Sequence, residues 1–237
     1  MVNVLREVRT KVMTMLPNRI ANKIRKVRRD WATKRARQRL QKYGFEVMNR
    51  VYETLKEKEG IIYHVDFGTL LGLIRENGFL KHDDDIDFTI ATGSIAPQEL
   101  MRAMLDAGFR FMRGFVYDGE VTELAFTYKK IGVDFFYEYK SDNGSYIQSY
   151  DDFVKTPEGN FANTTIRLHR PAATGVETVE INGVKMVMPK NKEELLVASY
   201  GANWRTPITG WTRGTCAGTK QERINSRATM FYRADEC

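Results

Sequence analysis

Four aspartates within five positions, Asp83, Asp84, Asp85 and Asp87, open an apparent strand in the segment GFLKHDDDIDFTI, residues 78–90. No other feature constrains the chain so strongly, because strand side chains alternate faces. With Ile86 turned into a core, Asp85 and Asp87 share the opposite face. Two ionised carboxylates so placed repel each other, and a bound cation with a preference for hard oxygen ligands, Mg²⁺ or Mn²⁺, removes the repulsion. A third acid in a strand context, Asp134 of IGVDFFYEY, joins them if its strand adjoins the first. Three such carboxylates can hold one or two divalent ions, which grip phosphates and neutralise charge during displacement at phosphorus. The plain alternative is a solvated acidic loop, with Asp134 paired to a lysine such as Lys129.

This acidic cluster belongs to a chain of net charge +7, and the charge is unevenly spread. Residues 1–45 hold 14 Lys or Arg against Glu7 and Asp30, giving +12, so the remaining 192 residues carry −5. Around Pro17 the apolar residues Val4, Leu5, Val8, Val12 and Met15, then Ile20, Ile24, Val27 and Trp31, recur at helical spacing among basic residues. The pattern predicts one or two basic amphipathic helices, suited either to an anionic membrane surface or to packing on the chain's own domain. No recognition motif accompanies the charge, which disfavours nucleic acid. No apolar run reaches the roughly 18–20 residues of a membrane span, and the charged N-terminus lacks the pattern of a signal peptide, so a cytoplasmic location is the default expectation. Two cysteines, Cys216 and Cys237, are too few for a disulfide framework or an all-protein zinc site.

From residue 39 the pattern is that of a mixed α/β (α+β) domain, giving a division into a basic helical extension, 1–38, and a catalytic domain, 39–237. A helix is expected over Arg35–Lys58, a buried strand at IIYHVDF, and a Gly68-Thr69 turn leading into the helix LLGLIREN. A strand over 86–91 precedes a helix in SIAPQELMRAMLDAG with Ser94 as its cap. Short strands follow near 109–117, 122–128, 133–139 and 146–150, then a hairpin, VETVEI and VKMVMP, about Asn182-Gly183. A helix from about Lys192, stopped by Gly201, begins a C-terminal helical lobe.

Several chemistries lack their motifs. Phe88 stands where an EF-hand loop needs glycine, and neither GxGxxG nor GxxxxGK[ST] occurs. A strand that ends in Gly-Thr and opens a helix does present backbone N–H groups and a hydroxyl to an anion such as phosphate. At this point FGTLLGLIRENGFLKHDDDID resembles the signature of the LicD and fukutin-related phosphotransferases, a branch of the nucleotidyltransferase fold superfamily. The likeness runs over Gly68, Thr69, Leu70, Leu71, Gly72, Arg75, Gly78, Phe79, Asp83, Asp84, Asp85, Ile86 and Asp87. Weaker likenesses at GVDFF and ELLVASYGANWRTP extend it to about residues 39–212. His82 stands where the family often has Trp, and Lys81 where Pro is common.

The resemblance implies a nucleotidyltransferase-like mixed sheet flanked by helices. It also implies transfer of a phospho-alcohol from a CDP-activated donor to a glycan hydroxyl, with CMP released. Asp85 and Asp87 would be the main Mg²⁺ (or Mn²⁺) ligands, and Asp134 a further ligand or the base. Gly68 and Thr69 would hold donor phosphates, aided by Arg75. Lys81 and His82 would edge the substrate pocket, Asp83 and Asp84 would orient an acceptor, bind a second ion or only anchor the loop, and Tyr200, Trp204 and Trp211 would offer a flat aromatic surface. The basic arm would bring the domain to a lipid-linked acceptor at the inner membrane face. Two further readings are transfer of a nucleotidyl group with pyrophosphate released, and a non-catalytic adaptor for polyanions.

Overall fold

A computed structural model describes residues 17–208 and 219–232. The first expected helix, before Pro17, and also Trp211, Cys216 and Cys237 lie outside them. The first described element is a single helix, α1 (Asn18–Leu55), continuous across residue 38. Its inner half turns Leu40, Val47, Val51 and Leu55 inward, all at 0% exposure. There it packs on the β-sheet and on a short hairpin.

The sheet follows from alternation. In β2 (Asp85–Ala91) the buried residues Ile86, Phe88 and Ile90 face the helices, which turns Asp85, Asp87 and Thr89 to the other side. In β5 (Ile131–Ser141) Ile131, Val133, Phe135 and Tyr137 do the same. The two strands run parallel, with Asp87 opposite Asp134. Phe88 stacks on Phe135 at 5.2 Å between ring centroids. Each fully buried phenylalanine contributes about 1.5–3 kcal/mol, so the apolar faces lock the register that aligns the acids.

β1 (Tyr63–Val65) edges β2, and α2 (Phe67–Arg75) follows it directly. α3 (Pro97–Asp106) has Ala96 as its N-cap. Ser94 donates instead to the Ile62 carbonyl, so it anchors the loop to β1's approach and does not cap the helix. The expected strand run appears as β3 (Arg110–Tyr117), β4 (Glu120–Tyr128), β5 and β6 (Gly144–Thr156). β7 (Gly159–Arg170) was not expected. The hairpin β8 (Val176–Ile181) and β9 (Val184–Pro189) forms a separate two-stranded sheet.

Beyond α4 (Lys192–Tyr200), capped at Gly201, the expected helical lobe is not what the described residues show. They return as two strands, β10 (Lys220–Ile224) and β11 (Ala228–Tyr232), both paired to β7. β11 also pairs with β3. Neighbouring strands β5, β4, β3, β11, β7 and β6 therefore close a ring of antiparallel pairings, because β6 joins β7 back to β5. The acid-bearing face of β5 is curled into the inside of this ring.

Candidate functional site

A cavity of about 640 Å³ occupies the mouth of the ring and takes side chains from all six of its strands, from β2 and from the start of α2. Asp85, Asp87 and Asp134 line one wall, and one carboxylate oxygen from each lies within 4.8 Å of the others. This convergence depends on the β2–β5 register described above. A slip of one residue in either strand would turn its acids into the apolar core.

The cluster is electrostatically strained. Burial and the neighbouring charges of Asp134, Asp84 and Asp83 raise the Asp85 carboxyl to about 6. Asp87 is pushed well above the usual carboxylate range by burial and by Asp85 and Asp134. Burial also raises Asp134, and the Arg113 guanidinium opposes it. Buried anions with raised affinity for a proton are anions short of a positive partner. All-oxygen donors with uncompensated charge fit a hard divalent cation.

A pH prediction follows for metal-free protein. The folded-state value of Asp85 lies above its unfolded value near 3.8, so the folded state takes up a proton first. Stability should therefore rise as pH falls from 8 through about 6 toward 5. Melting in a chelator at pH 8 and pH 5 checks the direction, and Asp85→Asn should shrink the difference between the two.

Asp134 has a cationic neighbour, but it is not Lys129, which pairs with Glu46. Arg113 Nη2 reaches Asp134 Oδ2 at 3.1 Å and Glu123 Oε1 at 3.0 Å. Neither Arg113 nor Glu123 was legible beforehand. They meet Asp134 because β3, β4 and β5 place Arg113, Ala125 and Asp134 side by side. Arg170 of β7 lines the same cavity, beside Phe67 and within 3.4 Å of Thr89 on the acid-bearing face of β2.

Gly68 and Thr69 lie within the first turn of α2, whose N-cap is Asp66. Gly68 lines the cavity. A Cβ there would come 2.6 Å from Asp83 Oδ2, so glycine is what allows the aspartate loop to close over the turn. Thr69 is 2% exposed, and its hydroxyl accepts the Asp87 N–H at 2.9 Å. It orients the β2 acids from behind and does not line the cavity.

The other expected residues gather elsewhere. Arg75, Lys81, His82, Asp83 and Trp204 line a second cavity of about 1030 Å³ between α1, α2 and residues 203–208. Arg75 donates to the Trp204 carbonyl at 3.1 Å and pairs with Glu76 at 2.9 Å, pointing away from the acid cluster. His82 is largely exposed, 3.6 Å from Asp83. Asp84 lines neither cavity. The Trp204 ring is 3% exposed, with Arg205 over it at 4.2 Å, so it closes a core more than it presents a flat face. Tyr200 borders both cavities.

Carboxylates on parallel strands, a helix N-terminus and an enclosed arginine line one chamber of an α/β domain. A family model described as LicD/FKTN/FKRP, nucleotidyltransferase domain, matches residues 60–191. That span is more than half the chain and includes all three clustered acids, and the chain belongs to this family. The ribitol-5-phosphate transferase FKTN of Mus musculus is 26% identical over 169 residues, covering 70% of this chain and 34% of the mouse protein. The chain thus spans about a third of that relative's length. Among the described residues, no helix is long and apolar enough to cross a membrane.

Proposed function

We propose that the ring cavity transfers a phospho-alcohol or sugar phosphate from a CDP-activated donor to a glycan hydroxyl, releasing CMP. The observation that carries this reading is the convergence of Asp85, Asp87 and Asp134 within 4.8 Å. These three would hold Mg²⁺ or Mn²⁺, which when bound supplies positive charge to the phosphoryl oxygens.

The chain's own residues divide the remaining work. Arg113 occupies Asp134 Oδ2, which leaves the other oxygen for a cation or for the proton of the acceptor hydroxyl. Burial raises the proton affinity of Asp134 and suits it to the second task. The acceptor oxygen–phosphorus bond forms, the bond from phosphorus to the CMP oxygen breaks, and the acceptor proton passes to Asp134. Gly68, on the cavity wall in the first turn of α2, would present its backbone to a donor phosphate. The aromatic residues Phe115, Tyr150 and Tyr232 line the same cavity.

Incubating the protein with CDP-alcohols, Mn²⁺ and candidate glycans tests the reading through nucleotide release. CMP formed only with acceptor and metal is the expected result. Release of pyrophosphate from a nucleoside triphosphate would instead indicate nucleotidyl transfer.

The outer half of α1 supports a membrane-proximal acceptor. Residues 18–39 hold ten Lys or Arg against Asp30. At 100° per residue, Ile20, Val27 and Trp31 share a stripe about 40° wide, and the core-facing Leu40, Val47 and Val51 lie on the opposite side of the same helix. The outer stripe is exposed, at 49%, 59% and 58%, so it is not a continuation of the domain's own packing. An anionic bilayer complements both its apolar stripe and its charge. Val27→Glu with Trp31→Glu should reduce affinity for phosphatidylserine vesicles, read by cosedimentation, at least about tenfold, which needs only about half of two apolar anchors' worth. Equal sedimentation of variant and wild type would remove the arm from this role.

A further inference from the structure

Arg170 ends β7 inside the ring and is 4% exposed. Its Nη2 lies 2.6 Å from Asp66 Oδ2 and 2.9 Å from Glu138 Oε1, and its Nε donates to Glu138 at 3.3 Å. The Phe67 ring sits 5.4 Å from its Cζ. Two carboxylates thus gather on one side of the guanidinium. The remaining nitrogen, Nη1, is buried without any hydrogen-bond partner.

A buried N–H left unpaired costs about 1–3 kcal/mol, more on a charged group. The neighbouring acids do not relieve it, although Arg170 lines the same cavity as Asp85 and Asp87. Two features show that the position is held deliberately. Phe67 adopts a φ of 47°, a left-handed backbone that costs a bulky residue about 1–2 kcal/mol. Asp66, itself clamped by Arg170, secures that turn by accepting the Phe67 N–H at 2.8 Å.

The location is informative as well. Asp87 and Thr89 lie on the same face of β2, and Arg170 Nη2 is 3.4 Å from Thr89 Oγ1. The guanidinium therefore lies one pleat repeat, roughly 7 Å, along β2 from Asp87. It lies beside the carboxylate cluster and not on it.

We propose that Arg170 Nη1 binds a phosphoryl oxygen of the substrate, on the phosphoryl group adjacent to the one held over Asp85 and Asp87. The cavity then reads two linked phosphoryl groups together. This rests on the reading of the cavity given above, and it makes Arg170 a specificity residue for diphosphate-linked ligands as well as the clamp on Asp66.

Titration calorimetry of the full chain with inorganic pyrophosphate and with inorganic phosphate, both with Mn²⁺, tests it. Wild type should bind pyrophosphate at least about tenfold tighter than phosphate, the worth of one charge-assisted hydrogen bond. Arg170→Lys keeps a cation for Asp66 and Glu138 but has no Nη1. It should lose about tenfold in pyrophosphate affinity while phosphate and Mn²⁺ affinities stay within about threefold. Parallel loss of all three affinities, or unchanged pyrophosphate binding, would overturn the proposal and leave Arg170 a clamp alone. Should the variant not fold, the wild-type guanidinium resonances decide: they shift with pyrophosphate and not with phosphate, or the idea fails. Absence of Mn²⁺ binding by wild type would instead count against the cation reading, and the resonance shift would still judge Arg170.

Discussion

Asp87→Asn is expected to lower turnover by at least about 10²–10³-fold, the scale of losing one group that stabilises transition-state charge, while raising the melting temperature of the metal-free protein. The two effects share one cause. Asp87 is pressed toward its protonated form by burial and by Asp85 and Asp134, so its charge costs stability whenever no cation is present. Asparagine keeps the shape and removes the charge. Each kcal/mol of relieved repulsion should appear as roughly 2–4 °C in a domain of this size. Turnover and melting in chelator are measured on the same preparation. A variant that turns over normally, or that melts below wild type, would show that Asp87 is a structural residue and not a cation ligand.

The largest stability effect is expected at Asp66, whose carboxylate lies outside the acid cluster although its backbone N–H donates to the Asp87 carbonyl at 3.0 Å. It caps α2 through the Phe67 N–H and pairs with Arg170 at 2.6 Å, both groups being almost fully enclosed. Burial alone would raise its carboxyl, but Arg170 and His64, with the Arg170 and Thr89 hydrogen bonds, bring it down to about 2. Breaking a buried ion pair by removing one partner typically costs about 3–5 kcal/mol, because the other charge stays behind. Asp66→Ala should therefore melt roughly 6–20 °C below wild type near neutral pH. Since the folded value is depressed, Asp66 contributes fully above its unfolded value near 3.8 and progressively less as pH falls toward about 2. Melts at pH 7 and pH 3 should show the gap closing in acid; a gap independent of pH would mean the pair contributes little.

How much of this was legible in the sequence depends on how local each signal is. Asp85 and Asp87 announced themselves because strand alternation acts over two residues, and the hairpin at Asn182-Gly183 because its turn residues sit between matching strands. Asp134 required one assumption, that its strand lies beside β2, and the parallel pairing of Asp87 with Asp134 meets it. Arg113 gave no such sign: it reaches Asp134 only across an intervening strand, and any arginine in a half-exposed strand looks the same. Arg170 was hidden for a second reason, since GNFANTTIRLHR is too polar to read as a strand whose other side lines a chamber. Thr69 was singled out from its turn, but its hydrogen bond to the Asp87 backbone was not legible, because α2 begins earlier than its apolar spacing indicates. The C-terminal strands have the same origin. Whether β10 and β11 are strands at all is decided by the open edge of β7, far away in the chain.

The closed ring also orders events during synthesis. β3, β4, β5, β6 and β7 emerge from a ribosome in sequence, and each can pair with strands already made. Among the described strands β11 follows the others and bridges β3 to β7. Until it docks, the edge of β3 and the Asn160–Ala162 stretch of β7 that it covers stand unpaired, open to water and to neighbouring chains. The chamber is thus sealed by a strand translated after all the others that line it, and a nascent chain carries all three acids long before it has an enclosed place in which to use them.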